Sequence, residues 1–456
     1  MDEPLTEAER FPLLTERSRA MLRRLQQHAH APRWTYACGE RLDAAGLAEV
    51  QAYAARQKAE PRGWKPGEAP AWVPEFIERC RRDVPFYRDR LRCDPLPTCS
   101  REDLRREPWS FVPDSADISE LVVYRTSGTT GNLIHLPAHP IAPARYLPLF
   151  QSALTAHGVS LLGGDRVSLI QVAAQVRTYT FASVSSYLDG AGHAKINLHP
   201  SDWNAADDPL RFFDDCAPEI VTSDPFALEQ LATLPVRTRL KGILSSATML
   251  LPALRDRLQR HFGCPVIDIY SMNETGPIAF ARADNDADEH EILPHNLFVE
   301  ILDESDRPVV PGQRGEIVVT GGVNPFLPLV RYRTGDFGAL SFSPLPLREE
   351  PGVRAPVPRL VGIERRRPVL FHAVDGAPVV SISVTVALFN IPLPFFSLHQ
   401  SRDGSLTFRT RCDAAVEYEV RQALTMLFGK TPLRIEQLSW EVAWSGKSIQ
   451  YSREDA

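Results

Sequence analysis

The pattern of apolar and polar positions divides the chain into stretches with different spacing. Residues 1–72 are rich in Arg, Ala and Glu, and their leucines are spaced as in helices, which predicts a helical N-terminal extension. From about residue 120, short apolar runs rich in Val and Ile alternate with amphipathic segments. This alternation is typical of buried strands in an α/β domain. The runs are LVVY, RVSLIQV, EIVTS, GILSSA and PVIDIY.

The pattern changes twice more toward the C-terminus. Between 297 and 340, the runs LFVEILD and EIVVT, separated by DRPVVPGQRG, and the alternating run LVRYRTGDFGAL predict antiparallel strands joined by turns. After a charged ERRR sequence, the runs VVSISVTVALF, LTFRTRC and RIEQLSWEVAW and a helix over 414–428 predict a βαβ-like tail. We therefore expect two domains, a large one over 1–362 and a small one over 363–456.

Composition limits the class of protein and its partners. A chain of 456 residues exceeds what one hydrophobic core usually organises, and 43% hydrophobic with 24% charged residues argues against disorder. With 51 basic and 57 acidic residues, the net charge is −6. This charge excludes binding to nucleic acid or to an anionic membrane through overall electrostatic attraction. Seven scattered cysteines without a CxxC pair and an acidic N-terminus without an apolar segment predict reduced thiols in a cytoplasmic protein.

The most informative segment for function is VVYRTSGTTGNLIHL, in which a strand runs into Thr126-Ser127-Gly128-Thr129-Thr130-Gly131. Small residues let backbone N–H groups approach a phosphate closely, and hydroxyl groups add further donors. A Gly- and Thr-rich hairpin turn is the alternative interpretation. The segment is not a Walker A loop, because the Gly that should precede each Gly-Lys pair by five residues is Leu424 in one case and Glu441 in the other.

Two further segments place polar groups after strands. In PVIDIYSMNETGP, Tyr270 lies at a strand end and Glu274 follows in a Gly-terminated loop, where an aromatic ring could stack on a base and a carboxylate could hold Mg²⁺. A core tyrosine and a surface glutamate are the alternative. In YRTGD, Asp336 ends a strand at a tight turn, where it could accept ribose hydroxyls or simply cap the turn.

Taken together and in this order, the three segments resemble the adenylate-forming superfamily of acyl- and aryl-acid ligases. Additional blocks are similar to its phenylacetate–CoA ligase branch: VPFYRDRL, SREDLR, the block from FVEILD to YRTGD, and RLVG. The resemblance covers roughly residues 75–450. It implies an α/β fold, with a large N-terminal domain of helix-flanked β-sheets and a small β-barrel-like part, followed by a small, mobile α+β domain.

The resemblance also implies roles for individual residues. Thr126 to Gly131 would cover the β- and γ-phosphates of ATP, Ser245 to Ala247 would border adenine, and Tyr270 would stack on it. Glu274 corresponds to the Mg²⁺-associated acid and Asp336 to the ribose-binding acid, and Lys447 in WSGKSIQY corresponds to the adenylation lysine. The catalytic residues implied are Thr129, Glu274 and Lys447. The ATP- and AMP-binding residues implied are Thr126, Ser127, Gly128, Thr129, Thr130, Gly131, Ser246, Ala247, Tyr270, Asn273, Glu274, Thr275 and Asp336.

Three positions depart from the family pattern. Ile134 stands where many members have a lysine in the phosphate loop, and Asn273 replaces the usual threonine before the glutamate, although an amide can still contact the α-phosphate. In GIERRR, Ile363 replaces an arginine that touches ribose, and one of the three following arginines could take its place. The last departure bears on the hinge and therefore on the second half-reaction.

The resemblance implies an enzyme that uses ATP and Mg²⁺ to join AMP to a carboxylic acid, with an aromatic acid favoured and release of pyrophosphate. CoA is the expected acyl acceptor, giving a thioester. Transfer to an amine in secondary metabolism, or a degenerate nucleotide-binding protein without catalysis, are the alternatives. Tyr179, Phe181 and Tyr187 are candidates for lining the acid pocket, with core packing as the alternative. The sequence leaves the oligomeric state open, a homodimer included.

Overall fold

The computed structural model describes residues 5–59, 63–126, 134–282, 289–293, 297–343, 356–364, 369–439 and 450–454. The helices in these ranges are α1 (Glu7–Arg10), α2 (Glu16–Gln26), α3 (Ala44–Ala59), α4 (Trp72–Asp83), α5 (Arg101–Arg106), α6 (Ile141–Ala144), α7 (Tyr146–Thr155), α8 (Asp208–Cys216), α9 (Pro225–Leu231), α10 (Pro252–Phe262), α11 (Ser381–Leu388) and α12 (Ala414–Phe428).

The strands up to residue 281 are β1 (Val122–Thr126), β2 (Ile134–Ala138), β3 (Val167–Ala173), β4 (Phe181–Ser185), β5 (Ala191–Asn197), β6 (Ile220–Ser223), β7 (Gly242–Ser245), β8 (Val266–Met272) and β9 (Gly276–Ala281). The later strands are β10 (Glu289–Ile292), β11 (Leu297–Leu302), β12 (Arg314–Gly321), β13 (Leu329–Phe342), β14 (Pro358–Glu364), β15 (Leu370–His372), β16 (Pro378–Val380), β17 (Phe396–Gln400), β18 (Leu406–Thr410), β19 (Leu433–Gln437) and β20 (Tyr451–Arg453).

Twelve of these strands form one mixed sheet in the order β11-β12-β13-β14-β10-β9-β8-β7-β6-β3-β5-β4. The strands from β5 through β3, β6 and β7 to β8 pair in parallel, whereas β4 and the strands from β9 to β14 pair antiparallel. The predicted α/β fold is confirmed. The antiparallel strands predicted over 297–340 are also present, and they continue the same sheet.

One predicted strand occupies a different place from the one expected. The LVVY run forms β1, but β1 pairs with β2 in a separate two-stranded hairpin instead of joining the large sheet. Val123 and Tyr124 are 40% and 44% exposed, so the expectation of a buried strand was wrong here. Four apolar residues are too short a run to distinguish a buried strand from a half-covered hairpin.

The C-terminal part has a sheet and a core of its own. Strands β19, β18, β17 and β20 form a four-stranded sheet, and its hydrophobic cluster draws mainly on residues after Val369. The βαβ-like interpretation was wrong for VVSISVTVALF, which is mostly helix α11. Its β-branched residues favour strands, but Val384 and Leu388 are fully buried in this cluster, and such packing overrides local propensity. The predicted helix over 414–428 matches α12. The division at 362/363 stays a prediction.

The N-terminal extension packs against the large sheet. Helix α2 lies on β4 and β5, and its side chains Met21, Leu22 and Leu25 are buried in the same cluster as the strands beneath. Gly192 on β5 permits this close approach, because a Cβ at that position would lie 2.9 Å from Met21 Sδ. The extension is therefore part of the large core. No helix in the described part of the chain is long and apolar enough to cross a membrane.

Removing the packing of α2 should destabilise the fold. Leu25 is fully buried, so Leu25→Ala leaves a cavity and should lower the free energy of unfolding by about 2–5 kcal/mol. Leu162 is 61% exposed, and the same substitution there should change this free energy by less than about 0.5 kcal/mol. Urea unfolding followed by circular dichroism measures both. Equal unfolding curves for the two variants would show that the extension contributes nothing to the core.

Candidate functional site

A hydrogen bond connects two of the loops that the sequence singled out. Tyr270, near the end of β8, donates its hydroxyl proton to Asp336 Oδ2 over 2.8 Å. Tyr270 is buried and Asp336 is half-buried, so the bond lies near the protein surface. The two residues are 66 positions apart in sequence, and they reach each other from the parallel and the antiparallel parts of the sheet.

Asp336 lies within β13 and does not end a strand, so the expected strand end at YRTGD was wrong; the strand continues past it through a register shift at Phe337/Ala339. The backbone around Asp336 is held by its neighbours. The Asp336 amide donates to Thr334 Oγ1 over 3.0 Å, and that hydroxyl donates to the Ile317 carbonyl over 2.7 Å. Gly335 adopts a φ of 77°, which favours glycine, and its amide donates to Glu316 Oε1. These bonds fix the orientation of the Asp336 carboxylate before any ligand binds.

Glu274 lies close to a cation and a phenol. Glu274 lies four residues after Tyr270 and is buried. It accepts a hydrogen bond of 2.5 Å from Arg101 Nη1. The Tyr332 hydroxyl donates to the same oxygen over 3.4 Å. Burial raises the pKa of Tyr332 well above its usual value, and the negative charge of Glu274 adds to this rise, so the phenol stays protonated and can donate.

Backbone pairing places Arg101 beside Glu274. The Cys99 amide donates to the Arg331 carbonyl over 3.1 Å, and the Arg333 amide donates to the Cys99 carbonyl over 2.8 Å. This parallel bridge puts the start of α5 next to β13. Sequence reasoning missed Arg101 as a site residue, although it lies in the SREDLR block that carried the family resemblance.

The segment predicted to border adenine has an unusual backbone. Ala247 adopts a φ of 71°, a conformation that costs free energy for a residue with a Cβ and that often occurs at functional sites. The Ser246 amide is fixed by the Ser223 carbonyl over 2.8 Å. The Ser245 hydroxyl is fully buried, and within the described residues it has no hydrogen-bond partner.

The remaining predicted site residues are only partly located. Thr126 ends β1, whereas Ser127, Gly128, Thr129, Thr130 and Gly131 and also Lys447 lie outside the described residues. Asn273 is exposed in the loop between β8 and β9. Thr275 is buried, and its hydroxyl donates to the Gly276 carbonyl over 3.0 Å, which leaves its oxygen available only as an acceptor.

The aromatic residues considered for the acid pocket divide into two places. Tyr179 and Phe181 stack with ring centroids 6.1 Å apart at the edge of the sheet formed by β4. Tyr187 instead packs beside the cluster of Leu42 and donates its hydroxyl proton to Gln151. Only the first two therefore line the same space.

Comparison with known proteins gives a consistent family. The family model described as "AMP-binding enzyme" matches residues 190–324. The phenylacetate–coenzyme A ligase of Pseudomonas putida is 24% identical over 352 residues, which cover 71% of this chain and 76% of that protein. The Escherichia coli K12 phenylacetate–coenzyme A ligase is 23% identical over 260 residues, covering 54% and 57%.

Among solved structures, a 2-hydroxyisobutyryl-CoA ligase in its postadenylation state is similar over 90% of both chains, with a TM-score of 0.60 and 18% identity. At that identity the likeness concerns the fold. The family match and the sequence matches agree with the three ordered motifs. The chain is similar to acid-activating ligases of the adenylate-forming superfamily, in particular to phenylacetate–coenzyme A ligases.

Proposed function

We propose that the protein activates a carboxylic acid with ATP, forming an acyl-AMP and pyrophosphate, and then transfers the acyl group to CoA to give a thioester. The observation that carries this proposal is the hydrogen bond from Tyr270 to Asp336, which joins two parts of the sheet, with Glu274, nearby in sequence, bonded to Tyr332. We infer that a nucleotide binds in a cleft beside Tyr270, Glu274 and Asp336. The relatives named for acid–CoA ligation support CoA as the acceptor.

Each group in the cleft suits one part of a nucleotide. The Asp336 carboxylate can accept two ribose hydroxyls, and its bond from Tyr270 keeps it facing the cleft. The Tyr270 ring offers a face on which adenine can stack. The strained turn at Ala247 brings backbone groups to the position where the purine edge would lie. The exposed Asn273 amide can donate to the α-phosphate.

Glu274 is the residue that would hold Mg²⁺. In the described part of the chain, no group of three or more His, Cys, Asp or Glu side chains is close enough to form a complete metal site. Mg²⁺ is commonly bound through one or two carboxylates, with phosphates and water as the other ligands, so a single glutamate fits. When bound, the ion would neutralise charge on the phosphates. Arg101, at 2.5 Å from Glu274, contributes a second positive charge there.

In the first half-reaction, a carboxylate oxygen of the acid attacks the α-phosphorus of ATP. The new bond to phosphorus forms as the bond to the pyrophosphate oxygen breaks, and pyrophosphate leaves. Two anions must approach each other, so positioning and positive charge supply most of the catalysis. We propose that the Lys447 ammonium neutralises negative charge on the α-phosphate. The backbone N–H groups of Thr126 to Gly131 would stabilise the leaving pyrophosphate.

In the second half-reaction, the CoA thiolate attacks the acyl carbonyl, and AMP leaves with the oxygen that the acid supplied. We infer that the acid is aromatic, because stacked Tyr179 and Phe181 offer flat apolar surface near the sheet edge and because the named relatives act on phenylacetate. The departure at Ile363 concerns the hinge and leaves an amine as the alternative acceptor.

A pyrophosphate-release screen over aryl, arylacetic and amino acids tests the proposal. We expect release of pyrophosphate from ATP that depends on the acid, and a product whose mass equals the acid–CoA thioester when CoA is supplied. If an amide forms when an amine is added and no thioester forms with CoA, the acceptor is an amine and not CoA. No release of pyrophosphate with any acid of the panel would favour a degenerate nucleotide-binding protein without catalysis.

Asp336 should control the affinity for ATP. Asp336→Asn should raise the KM for ATP roughly ten- to a hundredfold and change the KM for the acid much less, since a charged hydrogen-bond acceptor is lost. Tyr270→Phe keeps the stacking ring but frees Asp336, so a smaller rise is expected. Asp403→Asn, in an exposed turn of the C-terminal sheet, is the control. Initial rates at varied ATP measure all three, and an unchanged KM in Asp336→Asn would remove it from the site.

Lys447 should be required for adenylation. Lys447→Ala should slow acyl-AMP formation by orders of magnitude and leave the unfolding midpoint unchanged, because it removes charge from the transition state and nothing from the core. Lys430 follows a glycine in the same way and is exposed, so Lys430→Ala is a matched control that should keep the full rate. Single-turnover release of pyrophosphate compares them. Equal rates in the two variants would exclude Lys447 from the mechanism.

A further inference from the structure

Lys195, a buried lysine on the large sheet, has no counter-ion among the residues that the structure describes. Lys195 on β5 is 7% exposed, and its Nζ lies 3.7 Å from the centre of the Tyr179 ring. In the part of the chain that the structure describes, Lys195 makes neither an ion pair nor a hydrogen bond. Lys241 shows the usual arrangement, in which Nζ lies 2.6 Å from Glu219 Oε1. A buried ammonium without an anion is costly, so Lys195 needs a reason to be there.

The strands around Lys195 provide aromatic and neutral groups. In the sheet register, Lys195 lies opposite Phe181 on β4 and Gln171 on β3. His193, two positions earlier on the same face of β5, packs its ring edge-to-face with Phe181 at 5.4 Å. Burial lowers the pKa of His193 to about 4, so this imidazole is neutral at pH 7. Burial also lowers the pKa of Lys195 to about 8, which leaves it mostly protonated at pH 7.

The N-terminal extension closes one side of this space. The Thr35 and Tyr36 amides both donate to the Thr180 carbonyl, which brings the Tyr36 ring edge-to-face with Tyr179 at 5.6 Å. Burial raises the pKa of the neighbouring Cys38 thiol to about 11, so it is neutral as well. Arg41, five residues after Tyr36, carries a positive charge that interacts electrostatically with the Tyr36 phenol. The Glu40 carboxylate also acts on Cys38, but it already accepts hydrogen bonds from the Ser186 amide and hydroxyl. The other described groups named around Lys195 are neutral or positive, and we infer that they favour an anion.

A line of tyrosines connects this space with Glu274. Burial raises the pKa of Tyr124 on β1 to about 12, and Tyr36 and Tyr179 contribute to the rise. Burial likewise raises the pKa of Tyr146, with contributions from Tyr124 and from Glu274. Each side chain thus lies within electrostatic range of the next. Lys195 is also three strand spacings, about 14 Å, from the strand of Ser245. With adenine beside Ser245, as the proposed function has it, Lys195 would lie at the far end of the space into which an activated acid extends.

From this geometry we propose that Lys195 recognises a second acidic group, placed at the far end of the acid that the enzyme activates. The preferred substrate is then an aromatic dicarboxylic acid whose two carboxylates lie at opposite ends. The proposal rests on the proposed function and specifies its substrate class. An anionic tail would supply the missing counter-ion, whereas a neutral tail would leave the ammonium buried and unpaired.

The test compares 4-carboxyphenylacetate with its neutral isostere 4-carbamoylphenylacetate. Wild-type protein should use the first with a kcat/KM roughly ten- to a hundredfold higher, measured by pyrophosphate release. Lys195→Met should abolish this preference, and Lys195→Arg should keep most of it. Lys65→Met removes a surface lysine and should behave as wild type. A preference that survives in Lys195→Met, or none in the wild type, would overturn the proposal.

Direct binding separates this proposal from the proposed function. Calorimetric titration of both compounds without ATP should give a Kd for 4-carboxyphenylacetate at least tenfold lower in wild type but not in Lys195→Met. Equal affinities in the wild type would overturn the role of Lys195, whereas a preserved difference without pyrophosphate release would contradict only the proposed reaction. If Lys195→Met does not fold, the wild type alone tests the proposal. Its preference for 4-carboxyphenylacetate over the carbamoyl compound should fall as the pH rises from 7 to 10, because Lys195 loses its proton. A preference that stays constant over this range would overturn the proposal.

Discussion

The curl of the large sheet is the constraint on which the candidate site depends. Four strand spacings separate β8 from β13 along the sheet, about 19 Å if it were flat. Tyr270 and Asp336 nevertheless meet within 2.8 Å, which requires the two strands to fold toward each other. Register shifts at Tyr270/Ser271, Glu316/Val318 and Phe337/Ala339 lie in this region, and β-bulges of this kind increase local twist and bending. The small barrel-like part expected from the family resemblance corresponds to this curled region.

A consequence of the curl is that the described residues of the candidate site are already bonded to one another without a ligand. The Asp336 turn is bonded through Thr334 and Glu316, and Glu274 is paired with Arg101 and Tyr332. Fixed groups need little reorganisation when charge develops in a phosphoryl-type transfer. The N-terminal extension takes part in the same assembly, because it covers β4 with backbone hydrogen bonds and contributes Tyr36 to the space around Lys195.

Local patterns in the sequence carried much of the fold but less of the site. Helix α12 and the parallel strands follow from periodicity, and Tyr270 and Asp336 were found from the motifs that contain them, although Asp336 lies within β13 and not at its end. Helix α11 was not predicted from periodicity, because burial of Val384 and Leu388 overrides the strand preference of its β-branched residues. Arg101 and Lys195 were missed because their significance depends on contacts made after folding. Arg101 lies 173 positions from Glu274. The lack of an ion pair between Lys195 and any described carboxylate cannot be deduced from its neighbours in sequence. Thr129 and Lys447 stay predictions.

The central claim is that a bound acid becomes joined to AMP through its own carboxylate oxygen. Turnover of an acid labelled with oxygen-18 in its carboxyl group tests this most directly, with mass spectrometry of the nucleotide and phosphate products. The account predicts one labelled oxygen in AMP and none in pyrophosphate. Label in inorganic phosphate, accompanied by ADP, would mean that the γ-phosphate is attacked instead and would contradict it.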